Sequence, residues 1–263
     1  MRGVLLDVDD TLVDTRAAFR AGIAEVVRRW LPHLGDPGRA GEEDAVAHWV
    51  LDDTGAFAAY TRGELTFSQQ RRIRAERLHA RFGGPVLDDA TFARWEEAYD
   101  EAFRGAWRAH PDGVALVRSL RDLRVPTGAV TNASGDYQRG KLAAVGLREV
   151  PVLASMDDLG RGKPDPAVFH LACHRLGLPP AVVAYVGDEL SVDARGARDA
   201  GLVGVWLDRH GAGTAPPDVP VVRDLGAVLA VLGLGVGVKL GPRETEAGVK
   251  GERPSAAAEG LSM

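Results

Sequence analysis

The sequence predicts an α/β protein: a parallel sheet core with an α-helical subdomain inserted after the first strand. Two observations carry this. Five short apolar runs, "GVLLDV" (3–8), "PTGAVT" (126–131), "VPVLA" (150–154), "AVVAYVG" (181–187) and "LVGVWL" (202–207), are rich in Val and Leu and lack polar alternation. Strands covered on both faces have this pattern. Between the later runs lie segments of helical periodicity, long enough for right-handed crossovers.

The first run leads straight into "DVDDTLVD", and nearly 120 residues then separate it from the second. Those residues read as helical. Phe19, Ile23, Val26, Val27, Trp30 and Leu34 form one apolar stripe at helical spacing, and Phe92, Trp95, Tyr99, Ala102, Phe103 and Ala106 form another. Four of the five tryptophans, Trp30, Trp49, Trp95 and Trp107, fall in this insert. The expected organisation is a core over residues 1–14 and 109–232 with a helical cap over 15–108. In the core, Val114, Val117, Leu120 and Leu123 mark a helix over 112–123. A second, over 164–176, opens with Pro164, Asp165 and Pro166 and carries Val168, Leu171, Ala172 and Leu176. From residue 233 the apolar periodicity is lost, which predicts a disordered tail over 233–263.

Composition excludes several classes of function. Net charge is −5, with Lys and Arg spread along the chain, so nothing electrostatic points to nucleic acid or a membrane surface. The single cysteine, Cys173, leaves no internal disulfide and no cysteine-based zinc site, and fits a reducing cytosol as a small buried helix residue. The seven histidines show no metal-ligand spacing. No apolar run approaches the roughly 20 residues of a membrane span, and the start lacks the pattern of a signal peptide. A soluble cytoplasmic protein is expected.

Ligands of open parallel sheets bind outside the carboxyl ends of the strands. Asp7 and Asp9 follow strand one, Thr131 and Asn132 strand two, and Asp188 and Asp193 strand four; Lys163 lies in the loop beyond strand three. Four strand ends would bring these residues to one edge of the sheet. Carboxylates gathered there would each have a raised pKa or need a counterion, and oxygen donors without histidine or thiolate select a hard cation such as Mg²⁺. A cation beside Lys163 suits a phosphate, to which Thr131 and Asn132 add neutral hydrogen bonds. Asp10 and Asp14 read instead as turn-forming and helix-capping residues.

Four motifs together resemble the haloacid dehalogenase-like hydrolase superfamily: "VLLDVDDTL", "GAVTN", "GKPDP" and "VGDELSVD", in order and each after an expected strand. The resemblance covers residues 1 to about 230, and the insert looks like the family's C1-type cap on a Rossmann-like core. It implies that Asp7 is a nucleophile forming an aspartyl-phosphate and Asp9 the general acid and base. Thr131, Asn132 and Lys163 would contact the phosphoryl group. Mg²⁺ would sit on Asp7, the backbone carbonyl of Asp9 and Asp188, with Asp193 orienting its water. Dehalogenases of the family lack an acid where this chain has Asp9, so the resemblance favours a Mg²⁺-dependent phosphatase of a small phosphorylated metabolite. A sugar-phosphate phosphomutase uses the same aspartate pair and a similar cap. A non-catalytic phospho-acceptor or binding module is the rival from another class; it needs neither the Asp-x-Asp-x-Thr spacing nor a cap. In the cap, the arginines at 62, 71, 72, 74, 77 and 81 read as a solvated face. Arg62 and Tyr60, beside Gly63, are the candidates for a loop facing the site.

Overall fold

The structure, a computed structural model, describes residues 1–35, 40–211 and 216–234. Six parallel strands form one sheet in the order β3-β2-β1-β4-β5-β6. They are β1 (Gly3–Leu6), β2 (Thr127–Val130), β3 (Val152–Ala154), β4 (Val183–Gly187), β5 (Val203–Leu207) and β6 (Val221–Val222). The first five coincide with the expected runs. β6 was not foreseen, because two residues carry no readable apolar pattern.

The continuous apolar runs have a plain cause. Along β1, Val4 and Leu6 pack into one cluster with Ala129, Val186 and Leu120, while Leu5 points to the other face among Val130, Phe169 and Tyr185. Both faces are covered, so alternate residues on each strand are equally apolar.

The helices of the insert are α1 (Thr15–Trp30), α2 (Ala40–Leu51), α3 (Ala56–Thr61), α4 (Phe67–Phe82) and α5 (Asp89–Gly105). Of these, α1, α2, α4 and α5 share an apolar cluster of their own, separate from the sheet's. The second stripe becomes a ladder of rings along α5: Phe92, Trp95, Tyr99, Phe103 and Trp107 follow one another at centroid separations of 6.1, 5.3, 5.6 and 6.0 Å. Such pairs add about 0.5–1.5 kcal/mol each beyond their burial. Where the chain enters and leaves the insert the two segments pair, with Asp14 N–H donating to Arg108 O and His110 N–H to Leu12 O, each at 2.9 Å.

The core helices α6 (Pro111–Asp122) and α9 (Pro166–Leu176) lie where their apolar spacing places them. Between them stand α7 (Gly135–Ala144) and the single turn α8 (Met156–Leu159). After β4 comes a helical segment, π-wound over Leu190–Arg195 and α-helical over Gly196–Asp199. Among the described residues no helix is long and apolar enough to cross a membrane. The expected tail lies, from residue 235 on, outside the described residues.

Candidate active site

The strand order reverses between β1 and β4, and a crevice at such a point binds the ligand in open α/β sheets. Asp7 directly follows β1 and Asp188 directly follows β4. Asp7 still belongs to the sheet, its N–H donating to Val186 O at 2.9 Å. The next residues turn sharply. Asp10 has φ +55°, and its carboxylate accepts from Arg16 N–H at 2.7 Å. Asp14 caps α1, accepting from Ala17 N–H at 2.9 Å. Of Asp7, Asp9, Asp10 and Asp14, the last two therefore build the turn into the cap.

Lys163 is the centre of the buried set. Its Nζ donates to Asp7 Oδ1 at 2.6 Å, to Asp193 Oδ1 at 2.7 Å and to the Tyr185 hydroxyl at 2.8 Å. Asp193 also accepts from Tyr185 Oη at 3.1 Å and from Glu189 N–H at 3.0 Å. Burial alone would lower the Lys163 ammonium, but Asp193 and Asp7 outweigh it and hold the group well above the usual lysine range. One cation does not balance the site. Oxygens of Asp7, Asp188 and Asp193 lie within 4.8 Å of one another. Burial pushes the Asp7 carboxyl up to about 8; Lys163 opposes this, while the Asp193 and Asp9 charges add to it. Asp188 is pushed up to about 9 by burial and by the charges of Asp7, Asp193 and Asp10. Surplus carboxylate charge on an all-oxygen donor set fits a hard divalent cation such as Mg²⁺.

Asp9 has a different environment. Its Oδ1 accepts from Thr15 Oγ1 at 2.6 Å and from Lys141 Nζ at 2.5 Å, and its Oδ2 accepts from Gln138 Nε2 at 2.5 Å. Burial works to raise the Asp9 carboxyl, but the Lys141 charge and these hydrogen bonds prevail and keep it below the usual carboxylate range. Lys141 is buried among Phe103, Trp107 and Tyr137, its Nζ 5.3–5.6 Å from the three ring centroids. Gln138 also donates to Thr131 Oγ1 at 3.0 Å, tying Asp9 to the end of β2. Sequence reading missed both α7 residues. Polar side chains three apart on a short helix look like a solvated face, and only their burial sets them apart.

Other expectations shift. Asn132 lines the cavity, but its amide grips the Lys163 backbone: Lys163 N–H donates to Oδ1 at 2.6 Å, and Nδ2 donates to Lys163 O at 2.9 Å. It positions the lysine loop. The turn at Gly63 does reach that loop, with Gly162 N–H donating to Thr61 O at 2.9 Å. The Arg62 side chain, however, is exposed and paired with Glu64, and Tyr60 lies outside the cavity lining. Arg71 and Arg74 correct the solvated-face reading, because both line the cavity. They were illegible because their partners lie elsewhere in the sequence: Asp100 for Arg71, at 2.6 Å, and the Trp49 carbonyl for Arg74, also at 2.6 Å. The cavity, about 190 Å³, lies between the sheet edge and the cap, with Asp7, Asp9, Thr131, Lys163 and Asp188 on its floor.

Comparison with known proteins agrees with this geometry. Residues 1–201 match the model of the haloacid dehalogenase-like hydrolase family. The chain belongs to that family and is a hydrolase. It is 30% identical over 247 residues to a phosphoserine phosphatase of Thermus thermophilus, covering 86% of this chain and 94% of that protein. The magnesium-bound HAD-hydrolase YfnB of Bacillus subtilis shares its fold at a TM-score of 0.69 and 22% identity, over 88% of this chain and 98% of the other. A 2-haloacid dehalogenase of Pseudomonas syringae superposes at a TM-score of 0.58 with 25% identity, over 89% and 99% of the two chains.

Proposed function

We propose that the protein is a Mg²⁺-dependent phosphatase that hydrolyses a small phosphorylated metabolite through an aspartyl-phosphate on Asp7. One observation carries the reading: Asp7 and Asp9 line the same cavity with separate partners, Asp7 on Lys163 and Asp9 on Lys141, Thr15 and Gln138. Two carboxylates in unlike environments are what separate nucleophilic and acid–base roles require. Dehalogenation needs no acid at the second position, so the held Asp9 supports phosphoester chemistry.

In the first half-reaction an Asp7 oxygen attacks phosphorus in line, forming the Asp7 O–P bond as the ester P–O bond breaks. Lys163 and Thr131 hold the phosphoryl oxygens, and Asn132 fixes the lysine loop from behind. Asp9 gives its proton to the departing alkoxide. The incoming phosphoryl charge favours the protonated form of Asp9, since a like charge nearby raises a carboxylate pKa. In the second half, water attacks the aspartyl-phosphate and loses its proton to Asp9, releasing inorganic phosphate and regenerating Asp7. Asp7, Asp188 and the Asp9 carbonyl would hold the Mg²⁺, with Asp193 behind them; bound there, it supplies charge neutralisation at the phosphoryl oxygens.

The test is hydrolysis of p-nitrophenyl phosphate by the full chain with Mg²⁺ and with EDTA. The expected result is turnover that EDTA abolishes and Asp7→Asn removes. Undiminished turnover by Asp7→Asn would overturn the nucleophile assignment.

A further inference from the structure

We infer that the leaving alcohol of the substrate carries an aromatic ring or an equally flat apolar group; this rests on the phosphatase reading and names the substrate class. The floor of the cavity is polar, whereas its roof, with Gln70, Arg71 and Arg74 among the rings, is largely aromatic. Phe19, Trp49, Phe57, Phe67, Tyr99 and Phe103 of the cap all line it. Trp49, Tyr99 and Phe103 are buried and serve the cap core as well. Phe57 and Phe67 do not share that excuse: they are 36% and 37% exposed, and each reaches the cavity. Large apolar rings left in water around a concave site mark a surface that a ligand covers.

The two cavity arginines strengthen the reading. Arg71 is matched by Asp100 at 2.6 Å and Glu96 at 3.5 Å, and Arg74 by Asp52 at 3.5 Å. Their charges are engaged by carboxylates of the cap. Both guanidiniums lie against rings, Arg71 over Phe67 at 4.7 Å and over Tyr99 at 5.1 Å, and Arg74 over Trp49 at 4.2 Å. Flat π surfaces thus surround the space where the leaving group sits. An apolar cavity of about 150 Å³ accepts a benzene ring, and the about 190 Å³ here leaves room for a phosphoryl group as well.

The test compares kcat/KM for 2-phenylethyl phosphate with glycerol 3-phosphate and O-phosphoserine, all esters of primary alcohols, using the full chain and Mg²⁺. The expected preference for the phenylethyl ester is about tenfold or more. In Phe57→Ala and Phe67→Ala that preference falls toward one, through KM of the phenylethyl ester. Faster hydrolysis of either polar ester would overturn this inference and leave the phosphatase reading standing. Phosphate release from none of the three, nor from p-nitrophenyl phosphate, would overturn both.

Discussion

Lys141 Nζ lies 2.5 Å from Asp9 Oδ1, joining core helix α7 to the loop after β1 across 132 residues of chain. The rings around the ammonium come from both layers, Phe103 and Trp107 from the cap side and Tyr137 from the core. The Asp9 carboxylate, the proposed acid and base, is therefore held by a charge that these rings shield from water. Lys141→Met keeps an unbranched chain of similar length among the rings but removes the charge. The expected kcat is lower by about a hundredfold, with a smaller change in KM, because Asp9 loses its strongest positioning contact. Lys141→Arg should recover part of the loss. Steady-state kinetics on p-nitrophenyl phosphate decide; an unchanged kcat in Lys141→Met would remove the positioning role.

Asp9→Asn separates the two half-reactions. Asparagine neither protonates an alkoxide nor takes a proton from water, and the lost acid–base step should lower kcat by about 10²–10⁴-fold. An aryl phosphate with a good leaving group needs the acid less than the base. Acid-quenched samples of the variant should then show accumulated phosphoenzyme at Asp7 by mass spectrometry. Normal turnover with no accumulated adduct would remove Asp9 from the mechanism.

The raised carboxyls make a stability prediction of definite sign. Asp7 and Asp188 stand at about 8 and 9 in the folded protein, against an ordinary value of 3.8. Over the interval between, the folded state binds more protons than the unfolded state, so stability falls as pH rises. This contribution is fully present below pH 3.8 and is lost progressively up to about 8–9. In EDTA the melting temperature should therefore decline from pH 5.5 toward pH 8.5, within that window. On the proposed reading Mg²⁺ would compensate the same carboxylates, so its stabilisation should grow over the same range. Calorimetric scans with and without the metal check this, and a Mg²⁺ effect independent of pH would contradict it.

What the sequence made legible follows from how local each signal is. Asp7, Thr131 and Asp188 each stand at the end of an apolar run, so strand position alone brings them together. The stripe from Phe92 to Ala106 likewise announces α5 because its periodicity lies within one helix. Lys141, Gln138, Arg71 and Arg74 were not legible. Their burial depends on partners 25 to 132 residues away, and a polar residue on a helix reads as solvent-facing until those partners are placed. Asn132 was half legible: its place at the site followed from β2, but its bond to the Lys163 backbone depends on a loop from another strand.

Gly187, the last residue of β4, shows how little room the site leaves. A Cβ there would lie 2.4 Å from the Asp193 carboxylate, closer than such contacts occur, while its backbone conformation suits any residue. Asp193 cannot move freely, because the same carboxylate accepts from Lys163, Tyr185 and Glu189 N–H. Gly187→Ala must therefore displace the aspartate and loosen Lys163 from its position against Asp7. The expected cost is about 1–3 kcal/mol of stability from overpacking, together with a kcat loss larger than the stability change alone produces. Gly140→Ala is the matched control: that glycine is exposed on α7 with nothing within 4 Å of its Cβ position. Alanine there should stabilise by about 0.5–1 kcal/mol through helix propensity. Chemical denaturation and kinetics on the pair would show whether the glycine of "VGDE" is required for strand packing alone or for the placement of Asp193.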